Sequence, residues 1–140
     1  MKNFFQNRKP GFWLTVAAAC LALIGAIAYL IAYAAIMDTA TGTWDRVFRW
    51  AVLALLLGGA LVSLLGEAFR LHAAPIAAAV LYGIGLALHL VEAAFPLADL
   101  LTGVRFYGGN VTLAITFSVT FLLAVLLHIV GSFLVHGATR

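Results

Sequence analysis

Charge is what this chain has least of: Asp, Glu, Lys and Arg make up 9% of its 140 residues. A soluble domain carries about 25%, because its surface has to be wetted. Cysteine is almost missing as well. Cys20 stands alone, which excludes an internal disulfide and any paired-thiol redox centre. No polar stretch is long enough for a second domain, so residues 1–140 read as a single unit. Catalytic signatures are absent too. The chain has no H-E-x-x-H, no G-x-S-x-G elbow, no phosphate-binding loop and no dinucleotide fingerprint. The expectation is a protein that is not an enzyme and carries no metal or cofactor. The net charge of +3 lacks the basic face with interleaved aromatics that nucleic-acid binding requires, so no nucleic-acid partner is expected.

What fills the chain is apolar: 65% of the residues are hydrophobic. They gather in four runs, Phe12 to Ile36, Val47 to Phe69, Pro75 to Phe95 and Val111 to Leu134. A helix of about 20 apolar residues crosses a hydrocarbon core roughly 30 Å thick. Each run is long enough. Short connections force consecutive spans to be antiparallel. The fold class is therefore all-α: an integral membrane four-helix bundle, up-down-up-down, with short loops and the lipid bilayer as its first partner.

Punctuation between the runs agrees. Pro10 and Pro75 suit first helical turns, and Phe95-Pro96 suits the end of the third span. Thr43 with Asp45 suits the start of the second, and Asn110 the N-cap of the fourth. Asp99-Leu100-Leu101 reads as a short interfacial turn. Trp13, Trp44, Trp50, Phe106 and Tyr107 fall where an aromatic belt is expected. Lys2, Arg8, Lys9, Arg70 and Arg140 lie on one side of the spans, and Arg46, Arg49 and Arg105 on the other. Lys/Arg excess marks the cytoplasmic face, which predicts a multi-pass protein of the cell membrane with both termini cytoplasmic. The run from Phe12 is longer than a secretory h-region, so it reads as a retained span, with Phe4 and Phe5 of the preceding segment dipping into the headgroups.

Small residues recur every fourth position: Ala18, Ala22 and Ala26; Gly59 and Ser63; Ala79, Gly83 and Ala87. Such rows let helix backbones approach closely in lipid. On the fourth span Thr112, Thr116, Thr120, Ala124, His128 and Ser132 form a candidate polar ridge. It is either a polar path or a set of hydroxyls bonded to carbonyls one turn back, and the second reading is favoured.

His89 and Glu92 share a face of the third span, and Arg49 lies at a similar depth on the second. These three form the candidate transport or helix-pairing site, with a Glu92–Arg49 pair fixing the two helices together. His89 and His128 are expected about 10 Å apart in depth, too far to share one metal. Glu67 with Arg70 reads as an ordinary i,i+3 pair at a wetted helix end, near His72. Glu67 is also deep enough to reach His128.

Small multidrug exporters have this size, but they share an acidic residue inside the first span, and Phe12 to Ile36 has none. The stretches Phe106-Tyr107-Gly108-Gly109-Asn110, Leu113-Ala114-Ile115-Thr116-Phe117 and Gly11-Phe12-Trp13-Leu14-Thr15 resemble small uncharacterised four-span membrane proteins of Gram-positive bacteria. That resemblance implies the same four-span fold in a bacterial membrane and brings no activity with it. The functional expectation is a non-catalytic membrane subunit or scaffold, acting through helix faces in a homo-oligomer or with a larger membrane protein partner. The alternative is a small oligomeric transporter or channel using His89 and Glu92.

Overall fold

The computed structural model describes residues 10–69, 71 and 73–136. Lys2, Phe4, Phe5, Arg8, Lys9, Arg70, His72 and Arg140, on which parts of the expectation rest, lie outside the described residues. Four helices carry the chain: α1 (Pro10–Ala35), α2 (Trp50–Phe69), α3 (Ala74–Thr102) and α4 (Val111–His136). All four are long and apolar enough to cross a membrane. In hydrocarbon a helix satisfies its own backbone, which is why this architecture is available to so apolar a chain.

Each helix packs on its neighbours around a ring: α1 on α2 and α4, α3 on α2 and α4. Among the described residues the diagonal pairs have no close backbone approach and meet only through side chains. Buried positions on α1 include Gly11, Thr15, Ala18, Ala22, Gly25, Tyr29 and Tyr33. On α4 they include Ala114, Phe117, Phe121, Ala124 and His128. Steps of three and four residues of this kind make the narrow seam of left-handed bundles. Leucines, isoleucines and valines mostly face out, with Ile24, Ile31, Leu61, Ile76 and Val91 all well exposed to the lipid side.

Where backbones come closest, glycine is required. A Cβ on Gly131 of α4 would lie 2.8 Å from Thr15 Oγ1 and 2.9 Å from the Thr15 nitrogen of α1. Gly66 of α2 faces Ala74 of α3 in the same way beside the tight α2–α3 connection. By contrast, the row Ala79, Gly83 and Ala87 does not pack inside the bundle. Ala79 and Gly83 are half-buried, Ala87 is exposed, and a Cβ on Gly83 meets nothing within 4 Å. The seam of α3 runs one residue away, through Ala78, Tyr82, Leu86, His89 and Ala93, because large side chains there fill the centre.

Two expected boundaries move. The second span was expected from Val47, yet α2 begins at Trp50. Asp45 Oδ1 accepts the Val47 N–H at 3.0 Å, and the Phe48 N–H bonds the Asp45 carbonyl. That turn tucks Val47 and Phe48 into the core, so both are apolar because they plug the bundle, not because they are helical. Asp45 thus builds a turn rather than capping α2. The third span was expected to stop at Phe95, yet α3 continues through Pro96 to Thr102 and includes Asp99-Leu100-Leu101. A proline inside a helix removes one bond, here to the Glu92 carbonyl, and a buried, well-packed helix tolerates that. Gly103, at φ 70°, is the left-handed residue that finally closes α3. Asn110 does cap α4, its Oδ1 accepting the Leu113 N–H at 3.0 Å.

The end bearing the 36–49 and 103–110 connections, here the distal end, is a folded cap. Trp44 stacks on Phe48 at 4.3 Å between centroids. Arg46 lies 4.1 Å over the Phe95 ring. Asp45 Oδ2 accepts the Asn110 N–H at 3.1 Å and ties the two connections together. At the tip, Asp38 accepts the Thr41 hydroxyl at 2.7 Å and the Ala40 N–H at 2.9 Å.

Two outcomes follow from this packing. Gly131→Ala should destabilise the bundle by about 1–3 kcal/mol, since backbone must move, while Gly83→Ala should leave it within ~0.5 kcal/mol. Unfolding in mixed micelles measures both. The Thr41 hydroxyl, then the Ala40 N–H, holds the Asp38 carboxyl below its ordinary pKa. The tip turn should therefore persist at neutral pH and loosen only as pH falls through that lowered value. An NMR titration of the Ala40 amide should show its midpoint below the ordinary aspartate value.

Candidate functional site

Polar groups inside this bundle form two layers, one near each end. Tyr29 organises the distal layer. Its hydroxyl donates to the Val47 carbonyl at 2.9 Å and accepts the Arg49 N–H at 3.0 Å. Arg49 stands just before α2, and its carbonyl accepts the Val52 and Leu53 N–H groups. Its own N–H therefore belongs to the unpaired set at a helix start, and a side chain from α1 satisfies it. The Tyr29 ring packs edge-on against His89 and Phe117, at 5.6 and 5.2 Å between centroids, and stacks on Phe48 at 5.2 Å.

Placed by that contact, Arg49 reaches across to α3. Its Nε donates to Glu92 Oε1 at 3.0 Å and its Nη2 to the same oxygen at 2.6 Å. The Glu92 side chain is 15% exposed and that of Arg49 54%, so the pair sits at a rim, half in contact with the surroundings. The structure therefore brings Arg49 and Glu92 together.

His89 lies one turn before Glu92 but does not join the pair. It is fully buried. Its Nε2 faces the Ala114 carbonyl of α4 at 3.3 Å. A carbonyl only accepts, so Nε2 is the donor and Nδ1 the bare acceptor. Nδ1 has no hydrogen-bond partner, and neither has the buried Tyr33 hydroxyl. A lone acceptor and a lone donor thus share one aromatic cage, with Tyr29 between them.

The proximal layer is built on His128. Its Nε2 donates to the Pro75 carbonyl at 3.0 Å, and its Nδ1 faces Ser63 Oγ at 3.5 Å. Tyr82 packs edge-on against the ring at 5.2 Å. Fourteen residues of α3 separate Pro75 from His89, and fourteen of α4 separate Ala114 from His128. The two histidines are thus about 21 Å apart along the bundle, twice the expected offset. Among the described residues no group of three His, Cys, Asp or Glu could hold a metal.

The ridge on α4 winds from lipid to core. Thr112 and Thr116 are exposed, Thr120 is half-buried, and Ala124 and His128 are fully buried. Its hydroxyls bond carbonyls one turn back: Thr116 to Thr112, Thr120 to Thr116 and Ser132 to His128, each at 2.8 Å. They leave no continuous row of donors for a solute.

Sequence reading passed over Tyr29, Tyr33 and Tyr82. The available signal was a tyrosine deep in an apolar run, whose hydroxyl has to find a partner. Asp99, which the sequence suggests as part of a turn, lies inside α3. Its carboxylate accepts the N–H groups of Tyr107, at 2.9 Å, and Gly108, at 2.8 Å, and fixes the 103–110 connection.

The Arg49–Glu92 contact should show in a double-mutant cycle. Arg49→Gln and Glu92→Gln together should be less damaging than their sum by about 1 kcal/mol, as for a partly exposed pair. Additive losses would mean the contact carries no coupling.

No protein-family model matches this chain, and no curated protein or solved structure matches it either. Its function has to be read from its own residues.

Proposed function

We propose that this protein is a non-catalytic integral membrane subunit, working through helix contacts in a homo-oligomer or a larger membrane complex. The observation that carries this reading is the row Ala79, Gly83 and Ala87, left outside the bundle's own packing. Rows of this kind allow close helix approach in lipid, and here Gly83 meets nothing within 4 Å, Ala87 is exposed and Ala79 borders an open α3–α4 groove. Beside the row, α3 and α4 enclose an apolar groove of about 530 Å³ lined by Pro75, Ile76, Val80, Ile129 and Phe133. A neighbouring helix fits such a face. The bundle centre is meanwhile filled by Tyr29, Phe117, Phe121 and Leu56, all at most 5% exposed, which favours a packed role over conduction through one copy. The membrane is the cell membrane, with the distal end outside and both termini cytoplasmic, as the Lys/Arg distribution favours.

One observation favours the second reading, a small oligomeric transporter: the unpartnered Nδ1 of His89 and hydroxyl of Tyr33, close to a rim acid. Buried polar groups within spans often mark ion or proton paths. Glu92→Gln would then abolish pH- or solute-dependent flux in proteoliposomes, whereas a scaffold shows no such flux to lose.

Cys20 is the sole cysteine, so cross-linking is clean in a Cys20→Ser background. Gly83→Cys and Ala87→Cys should form a cross-linked species in native membranes, to a second copy or to a partner protein. Ile24→Cys on α1 should not. Gly83→Leu should dissociate the complex without lowering bundle stability. Absence of any cross-link from both α3 positions would contradict the reading.

A further inference from the structure

A second pocket, unrelated to the Ala79–Ala87 face, lies at the distal end. It is about 540 Å³ and lies between the end of α3 and the start of α4, where Pro96, Asp99, Arg105, Gly109, Asn110 and Val111 line it. We propose that it binds the phosphate of a membrane glycerophospholipid, with Arg105 as the residue that holds the charge.

The pocket's depth fits this ligand. Arg49 is 54% exposed and paired with Glu92, and such a pair belongs at the hydrocarbon boundary rather than within it. From Ala74 to Glu92, α3 rises about 27 Å, close to the ~30 Å hydrocarbon thickness, so the boundary falls at Glu92. Pro96 lies four residues further, about 6 Å. The headgroup layer is roughly 5–8 Å thick on each side. The pocket floor therefore stands at the depth of the lipid phosphates.

Its charge fits as well. Of the two ionisable residues in the lining, Asp99 is occupied, its oxygens receiving the Tyr107 and Gly108 N–H groups, and it is only 8% exposed. Arg105 is exposed and among the described residues makes no ion pair. Of the cap's other two cations, Arg46 is held over the Phe95 ring and Arg49 is paired with Glu92. The pocket thus offers one available guanidinium, the side chain best shaped for two parallel bonds to phosphate oxygens. Val111, at the start of α4, lines the same pocket and gives the glycerol backbone an apolar wall.

Native mass spectrometry of the protein released from nanodiscs of mixed phosphatidylglycerol and phosphatidylcholine tests this. Wild type should retain phospholipid. Arg105→Gln should retain about five-fold less, in line with the worth of one basic group at a charged lipid surface. Arg105→Lys should keep most of it. Unfolding midpoints matching wild type will show that the variants fold. Inorganic phosphate at millimolar concentration should leave the retained lipid unchanged. Equal retention by Arg105→Gln would overturn the assignment. So would displacement of the lipid by inorganic phosphate, which would assign the pocket to a free anion.

Discussion

The distal half of this molecule depends on one hydroxyl. Tyr29 of α1 receives the Arg49 N–H and donates to the Val47 carbonyl, so it decides where α2 begins and how it is oriented. With α2 started there, Arg49 reaches Glu92 and links α2 to α3. With Val47 turned inward, Gly109 packs 3.3 Å from it, measured to where a Cβ would stand, and the 103–110 connection closes over the bundle. A hydrogen bond in this setting carries more than its net worth of about 1 kcal/mol in water-exposed structure. Without Tyr29 the freed groups have few other donors or acceptors within reach.

The proximal half is held differently. There His128 and Ser63 join α4 to α2 and to the first turn of α3, while α1 meets α4 through backbone contact at Gly131 and Thr15. Between the two polar layers lie alanines and large apolar rings. The bundle is thus tied at both ends and packed in the middle, an arrangement that fixes register without placing a charge in hydrocarbon. That leaves the outward faces free to meet lipid or protein.

Element number and direction were legible in the sequence, because a bilayer imposes a minimum run length that soluble folds do not. Helix ends were less so. Val47 and Phe48 looked like helix because they are apolar, and Pro96 looked like a stop because prolines usually are. Both errors come from a buried distal cap whose residues are selected for packing. The inward faces were hardly legible at all, since lipid is as apolar as the core and removes the usual contrast between sides. Ala18, Ala22 and Ala26 do pack inward; Ala79, Gly83 and Ala87, with the same spacing, do not. The Arg49 and Glu92 positions were legible because charge in an apolar chain is conspicuous. Tyr29 was not, because an aromatic ring hides its hydroxyl among hydrophobic residues.

The most direct test is hydrogen exchange at the Arg49 amide in Tyr29→Phe, followed in detergent micelles. Removing one oxygen should leave the ring packing and the proximal layer intact. The Arg49 amide should lose its protection, and protection at the start of α2 should fall with it, while amides around Ser63 and His128 stay as slow as in wild type. Equal exchange of Arg49 in both proteins would show that the start of α2 does not depend on Tyr29.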